Sequence, residues 1–454
     1  VIQRILIVVA VCGLMSAVRS FIPEGSHVHV SSGALAFGFV LLVAFFSGRI
    51  FKAMHLPRLT GYLAAGMVVG PSALGLLTEG MVADLKLFNG VAIALIALTA
   101  GTEMDLRTMR PLFPTIFRIT GVAVVGTVFL LSATIFLLRP QLPFLADMGV
   151  VQAGAVALVL GVTTAAQAPA VVVALRDEMD AEGPMSRVVL GVVVLADLVI
   201  IVLFATSSSI AKAVLGGDAD VLRTARELSW ELFGSLLVGV VVGVILAMYL
   251  RRVKSNAALF ILTICFVVAE VGSRVHLDPL LVALGAGMFV QNVTEAGHRL
   301  AHEIEGASLP VFVVFFAVAG AGIHLDVLPL VWLPAAAIIL VRATGFLVGT
   351  RLAVRGPGAD PVVARWAGFG LLPQAGLALA LAMLFTRTFP TFGEGAAALT
   401  LGVVAVNELI APVLFRWALV RSGEAGKRKA HDVSLEGIGE LGDPAHTPAA
   451  TAGH

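Results

Sequence analysis

Apolar stretches of membrane length follow one another along almost the whole chain, and no other feature limits its fold so strongly. A helix crossing the hydrocarbon core needs about 20 apolar residues. Fourteen stretches approach that length, near residues 2–20, 33–51, 59–77, 86–102, 113–138, 149–175, 187–211, 230–250, 256–273, 277–292, 306–323, 328–350, 361–386 and 395–419. Hydrophobic residues make up 59% of the 454 and charged ones only 13%, where a soluble domain carries about 25%. In lipid every backbone polar group must be satisfied within the protein, so segments of this kind form helices. The expectation is an all-α polytopic membrane protein. A net charge of +1 points to no nucleic acid and no acidic partner, so membrane lipid is the expected surrounding.

The positive charges orient the segments. Twenty of the 30 Lys and Arg residues fall on one side, including Arg49, Lys52, Arg58, Arg251, Arg252, Arg351 and Arg421; eight fall on the other and two, Arg118 and Arg342, within helices. By the positive-inside rule the richer side is cytoplasmic and holds the C-terminus, as in a multi-pass protein of the cell (inner) membrane. Residues 1–22 read as an extra N-terminal helix. Arg4 followed by an apolar run also fits a signal segment, but Met15-Ser16-Ala17 is a poor cleavage site,. Residues 33–420 form the transmembrane domain. Residues 421–454 are polar, rich in Gly, Pro and Ala, and read as a disordered tail,.

Within the apolar run Val188 to Phe204 stands a single acid, Asp197. An ionisable group near mid-membrane is costly and is read by default as part of an ion or proton path. The preceding segment is interrupted by Thr163-Thr164-Ala165-Ala166-Gln167-Ala168-Pro169, and a second interruption, Leu371-Leu372-Pro373-Gln374-Ala375-Gly376, lies in the thirteenth segment. Paired Pro/Gly-broken segments at matching places in two halves point to a transporter's site. If segments 2–7 and 9–14 are repeats about segment 8, the two breaks correspond and the halves are inverted. Thr163, Thr164, Gln167 and Gln374 offer neutral oxygens for a small cation. Pro169, Pro373 and Gly376 set the breaks. Asp197 follows Gln167 by 30 residues and Glu408 follows Gln374 by 34, as the repeat requires.

Three further intramembrane charges need partners. A buried guanidinium keeps its proton, so Arg342 requires an acidic or carbonyl partner; an ion pair with Glu408 is the expectation. Glu270 lies near a helix end beside Arg274, where a structural role outweighs its place as a secondary ion-site candidate. Cys12 and Cys265 sit in apolar runs, as small hydrophobes do, and the His residues show no metal spacing.

At this point the residues resemble a family. H-L-P-R-L-T-G-Y-L-A-A-G-M-V-V-G-P-S-A-L-G-L (55–76), I-A-L-I-A-L-T-A-G-T-E-M-D-L (93–106) and L-P-V-F-V-V-F-F-A-V-A-G-A-G-I-H-L-D (309–326) resemble Kef-type and Nap-type members of the monovalent cation:proton antiporter superfamily. The resemblance implies an inverted-repeat fold of thirteen helices with two crossed, broken ones, here with an N-terminal extra. It implies a homodimer, and a mobile core beside a scaffold. In the family two polar residues side by side bind the ion. Asp197 matches the second and Ala196 replaces the first. Arg342 matches a basic position of a later core helix. The nucleotide-binding regulatory domain of Kef-type proteins has no counterpart in this sequence.

The resulting expectation is a secondary transporter, not an enzyme, that exchanges protons for Na⁺ or K⁺ by alternating access, one for one and without net charge. Asp197 would carry the proton or the metal cation, and no cofactor is called for. A sodium-coupled organic-anion symporter and a non-transporting sensor or channel-like relative are the alternatives.

Overall fold

A computed structural model describes residues 2–20, 29–216, 229–253, 257–275, 277–323, 328–355, 360–374 and 393–427, with the single residues 226, 378, 381, 385 and 389. Gly376 and residues 428–454 lie outside the described residues. Fifteen helices of ten residues or more are described: α1 (Ile2–Ser20), α2 (His29–Ala53), α3 (Arg58–Val69), α4 (Glu79–Glu103), α5 (Leu106–Leu137), α6 (Val150–Ala165), α7 (Pro169–Glu178), α8 (Pro184–Val214), α9 (Trp230–Arg252), α10 (Ala257–Arg274), α11 (Pro279–Val293), α12 (Gly297–Ala321), α13 (Leu328–Ala353), α14 (Pro361–Gly370) and α15 (Gly393–Arg421). Helix is present at each of the fourteen expected segments. Among the described residues seven spans are long and apolar enough to cross a membrane, counting α6 with α7 as one.

The helix starts follow local chemistry. Thr78, Asp105, Asp278 and Asp360 cap α4, α5, α11 and α14, each side chain accepting a hydrogen bond from a first-turn amide. Such caps satisfy donors that a helix start leaves open. Pro169, Pro184, Pro279 and Pro361 occupy first-turn positions, where proline's missing N–H is not needed.

The helices gather into two groups. In one, α4 packs on α11 and α12, α9 on α11, and α3 on α2 and α12; in the other, α5 packs on α6 and α13, α8 on α6 and α14, and α13 on α14 and α15. In the first group backbones touch: a Cβ on Gly66 would lie 1.8 Å from the Ala317 carbonyl, and one on Gly320 2.2 Å from that of Leu63. Only glycine permits such an approach, a device typical of helices packed in lipid. The groups are joined by an ion pair between Glu103 of α4 and Arg176 of α7, and by the Arg58 amide of α3 donating to Glu178 Oε1 at 2.7 Å. Large apolar side chains face outward, among them Phe117 and Phe129 on α5, Leu237 and Met248 on α9 and Leu340 on α13. Lipid is the surrounding in which that surface carries no penalty.

One part of the expected tail is folded. After α15 the chain turns back and buries Glu424, whose carboxylate accepts from the amides of Met185 (2.7 Å) and Ser186 (2.8 Å) at the start of α8. The Glu182 amide donates to the Glu424 carbonyl at 3.1 Å and the Gly426 amide to that of Met179 at 2.9 Å. A carboxylate at a helix N-terminus meets open amides and the positive end of the helix dipole. Glu424→Ala strands two buried donors, at about 1–3 kcal/mol each. The expected result is a melting temperature lowered by several degrees in detergent, with Glu424→Gln intermediate; unchanged melting of Glu424→Ala would remove this docking from the stabilising contacts.

Candidate ion site

A broken helix, α6–α7, meets the end of α14 in the second group. α6 ends at Ala165, Ala166 and Ala168 adopt extended backbone, and α7 starts at Pro169. Proline disfavours helical geometry in the residue before it and supplies no amide. α14 ends at Gly370, three residues before Pro373. The Ala168 amide donates to the Pro373 carbonyl at 3.1 Å, so one break is bonded to the other.

Each break leaves helix-end carbonyls without amide partners, and Arg342 of α13 collects them. Its Nε donates to the Thr164 carbonyl at 2.9 Å, Nη2 to that of Ala166 at 2.9 Å and Nη1 to that of Leu372 at 2.7 Å, with a longer contact to Leu371 at 3.5 Å. The side chain is 1% exposed and its cationic carbon lies 4.8 Å from the centre of the Phe346 ring. Helix C-termini carry partial negative charge, so a fixed cation between two of them is matched electrostatically. The expected Arg342–Glu408 ion pair is therefore not formed. The broken backbone supplies a denser set of acceptors than one carboxylate does. Arg342 does not contact Asp197 either.

Gln374 continues the network. Its Nε2 donates to the Thr164 carbonyl at 2.9 Å, and its Oε1 accepts from Asn407 Nδ2 of α15 at 2.9 Å. The Thr164 carbonyl can only accept, which fixes the amide's orientation. Thr163 and Thr164 are fully buried, and their hydroxyls donate back to the carbonyls of Val159 (2.9 Å) and Leu160 (2.7 Å). Their oxygen lone pairs stay available.

Of the residues singled out from the sequence, three are buried with side-chain atoms that have no hydrogen-bond partner. They are Gln167, through both amide atoms; Asp197, through Oδ1; and Glu408, through both oxygens. Asp197 is 4% exposed, and its helix α8 packs on α6, α7 and α14. Among the described residues no hydrogen bond joins Asp197 to Thr163, Thr164, Gln167 or Gln374. Glu270 lies apart, accepting from Arg274 Nε at 3.0 Å on a partly exposed face of α10. Sequence reasoning did not assign Asn407 or the carbonyls of Ala166, Leu371 and Leu372 to this cluster. The polar pair Asn407-Glu408 inside an apolar helix was the available sign.

The family described as "Sodium/hydrogen exchanger, transmembrane" matches residues 6–421. The chain belongs to that family. Among its relatives, the Na(+)/H(+)-K(+) antiporter GerN of Bacillus cereus is 26% identical over 357 residues, 76% of this chain and 85% of the relative. The iron transporter MagA of Paramagnetospirillum magneticum is 26% identical over 294 residues, 63% of this chain and 62% of its own length. The Na(+)/H(+) antiporter NhaS5 of Synechocystis is 26% identical over 401 residues, 83% of this chain but 50% of its own length. The chain thus spans less than two thirds of the last two. The fold matches a structure of the sodium proton antiporter MjNhaP1 from Methanocaldococcus jannaschii with a TM-score of 0.59 at 15% identity, covering 91% of this chain and all of the other.

Proposed function

We propose that this exchanger-family chain moves protons against a monovalent metal cation, Na⁺ or K⁺, with Asp197 carrying one or the other. The observation that carries the reading is Asp197 itself: a buried carboxyl with an unpartnered oxygen, on a helix packed against the broken one. An ionised carboxylate left so costs several kcal/mol; bound to a proton or a metal cation it does not. Hydroxyls of Thr163 and Thr164 and the amides of Gln167 and Gln374 are the further oxygens on offer. The family match and the named antiporter relatives support the same reading. With Ala196 beside it, Asp197 by itself supports one-for-one exchange.

The remaining parts follow from the family and the charge pattern. The breaks belong to two crossed helices of an inverted repeat, and the second helix group rocks against the first to alternate access. The protein is a homodimer in the cell membrane with its C-terminus in the cytoplasm, and it needs no cofactor. An organic-anion symporter would draw on Arg342, whose donors are already engaged by carbonyls.

Purified protein in liposomes, with a pH-sensitive dye inside, tests the reading. An imposed Na⁺ or K⁺ gradient is expected to drive protons the opposite way. Absence of cation-dependent proton flux with both ions overturns it. Thr164→Ala is expected to raise the half-saturating cation concentration several-fold, while melting shifts by no more than the loss of one intrahelical side-chain bond, about 1 kcal/mol. A variant with unaltered cation dependence takes Thr164 out of the site.

A further inference from the structure

Glu408 is left without a role by the loss of its expected ion pair. It is 2% exposed, and neither carboxyl oxygen has a hydrogen-bond partner. Among the described residues no charged side chain is hydrogen-bonded to it. Arg342 of α13 is spent on carbonyls, Arg176 and Glu178 of α7 are bonded to Glu103 and to the Arg58 amide, and Arg365 of α14 lies over Trp366. Tyr62 of α3 belongs with Glu178 and Arg58, and α6 has no charged residue. A carboxyl that makes no bond gives the fold nothing a leucine would not give better.

Its depth in the membrane singles it out. A Cβ on Gly370 would meet both Val189 of α8 and Phe415 of α15, so the two helices share a contact point there. The start of α8 is docked on Glu424, just past the end of α15, so the two helices run antiparallel. From that shared point Asp197 lies eight residues along α8 and Glu408 seven residues back along α15. At 1.5 Å per residue these are about 12 Å and about 10.5 Å in the same direction. Two buried carboxyls with unpartnered oxygens thus stand at one depth on antiparallel helices, one on each of the helices that follow the breaks. Asn407, beside Glu408, is bonded to Gln374 in the second break.

We propose that Glu408 is a second proton-binding site of the exchanger, loaded in the closed core and emptied when the core opens to water. The proposal rests on the reading of Asp197 as the ion carrier and adds a second proton to it. In the step the carboxyl O–H bond breaks, the proton passes to a water molecule and the electron pair stays on the carboxylate. Arg342 keeps its positive charge throughout. With both carboxylates ionised and one metal cation bound, the four charges of the core cancel. With both protonated, the core carries the single charge of Arg342. One metal cation then exchanges for two protons, and the cycle moves net charge.

The test measures coupling ratio and voltage dependence in liposomes, with Na⁺ and K⁺ gradients set against a pH gradient. Wild type is expected to reverse at a balance of two protons per cation and to respond to an imposed voltage. Glu408→Gln is expected to keep exchanging, at one proton per cation and without voltage dependence. Wild type at one for one, or Glu408→Gln at the wild-type ratio, overturns the proposal. Exchange that survives in Asp197→Asn sinks the underlying reading instead. A second readout needs neither transport nor the same variant. The infrared band of protonated carboxyls is expected to lose two components as pH rises, with Glu408→Asp moving only one of them. A Glu408 component that persists at every pH overturns the proposal.

Discussion

Asp197→Asn is expected to abolish cation-driven proton exchange and to yield a protein at least as heat-stable as wild type. Asparagine has the carboxyl's shape and none of its titration, so it can neither release a proton nor neutralise a metal cation. The stability half follows from the unpartnered oxygen: Asp197 Oδ1 makes no hydrogen bond, so an amide in its place breaks none at that atom. Any fraction of the wild type with an ionised, uncompensated carboxylate at this depth carries a penalty of several kcal/mol, and the amide removes it. Asp197→Glu retains the chemistry but moves the carboxylate by a methylene in a packed site, and exchange is expected to fall without vanishing. Exchange in the asparagine variant at the wild-type rate would end the assignment. A marked loss of stability would show that Asp197 holds the helices together.

The helix ends at Ala165 and Gly370 were legible in the sequence because their cause is local. Proline removes an amide and disfavours helical geometry just before it; Pro169 and Pro373 follow the ends of α6 and α14, whereas Pro310, Pro334 and Pro412 lie within helices. Asp197, which the fold buries, stood out for a similar reason, since one carboxylate in an apolar run is costly in any arrangement of helices. The partner of Arg342 did not. A sequence displays side chains and hides carbonyls, so Glu408 was the visible counter-charge, while the acceptors were helix-end carbonyls of Thr164, Ala166 and Leu372. Those acceptors exist only because the helices are broken. The docking of Glu424 was missed because composition averages a polar segment, and one carboxylate finding two amides 238 and 239 residues away leaves no trace in an average.

Removing the Arg342 guanidinium is expected to produce the largest loss of stability of any single substitution in this core. Burying a guanidinium costs several kcal/mol, and here that cost is offset by three hydrogen bonds of 2.7–2.9 Å to carbonyls. Arg342→Met fills much of the volume and supplies no donor. The Thr164 carbonyl keeps its bond from Gln374; those of Ala166 and Leu372 lose their side-chain donor in a region closed to water. Unsatisfied buried acceptors cost about 1–3 kcal/mol each, so a drop of roughly 3 kcal/mol or more is expected, read as an earlier thermal melt. Arg342→Lys keeps the charge but lacks the planar fork that reaches both breaks, and should recover only part of the loss. The decisive comparison adds Glu408→Leu. A buried ion pair replaced on both sides by apolar groups regains most of its lost stability, whereas groups without shared partners add within about 0.5 kcal/mol. Because Arg342 is bonded to carbonyls and Glu408 to nothing, the double variant should melt where the two single effects, summed, place it. A double variant clearly more stable than that sum would restore the ion pair and take the broken helix ends out of the account.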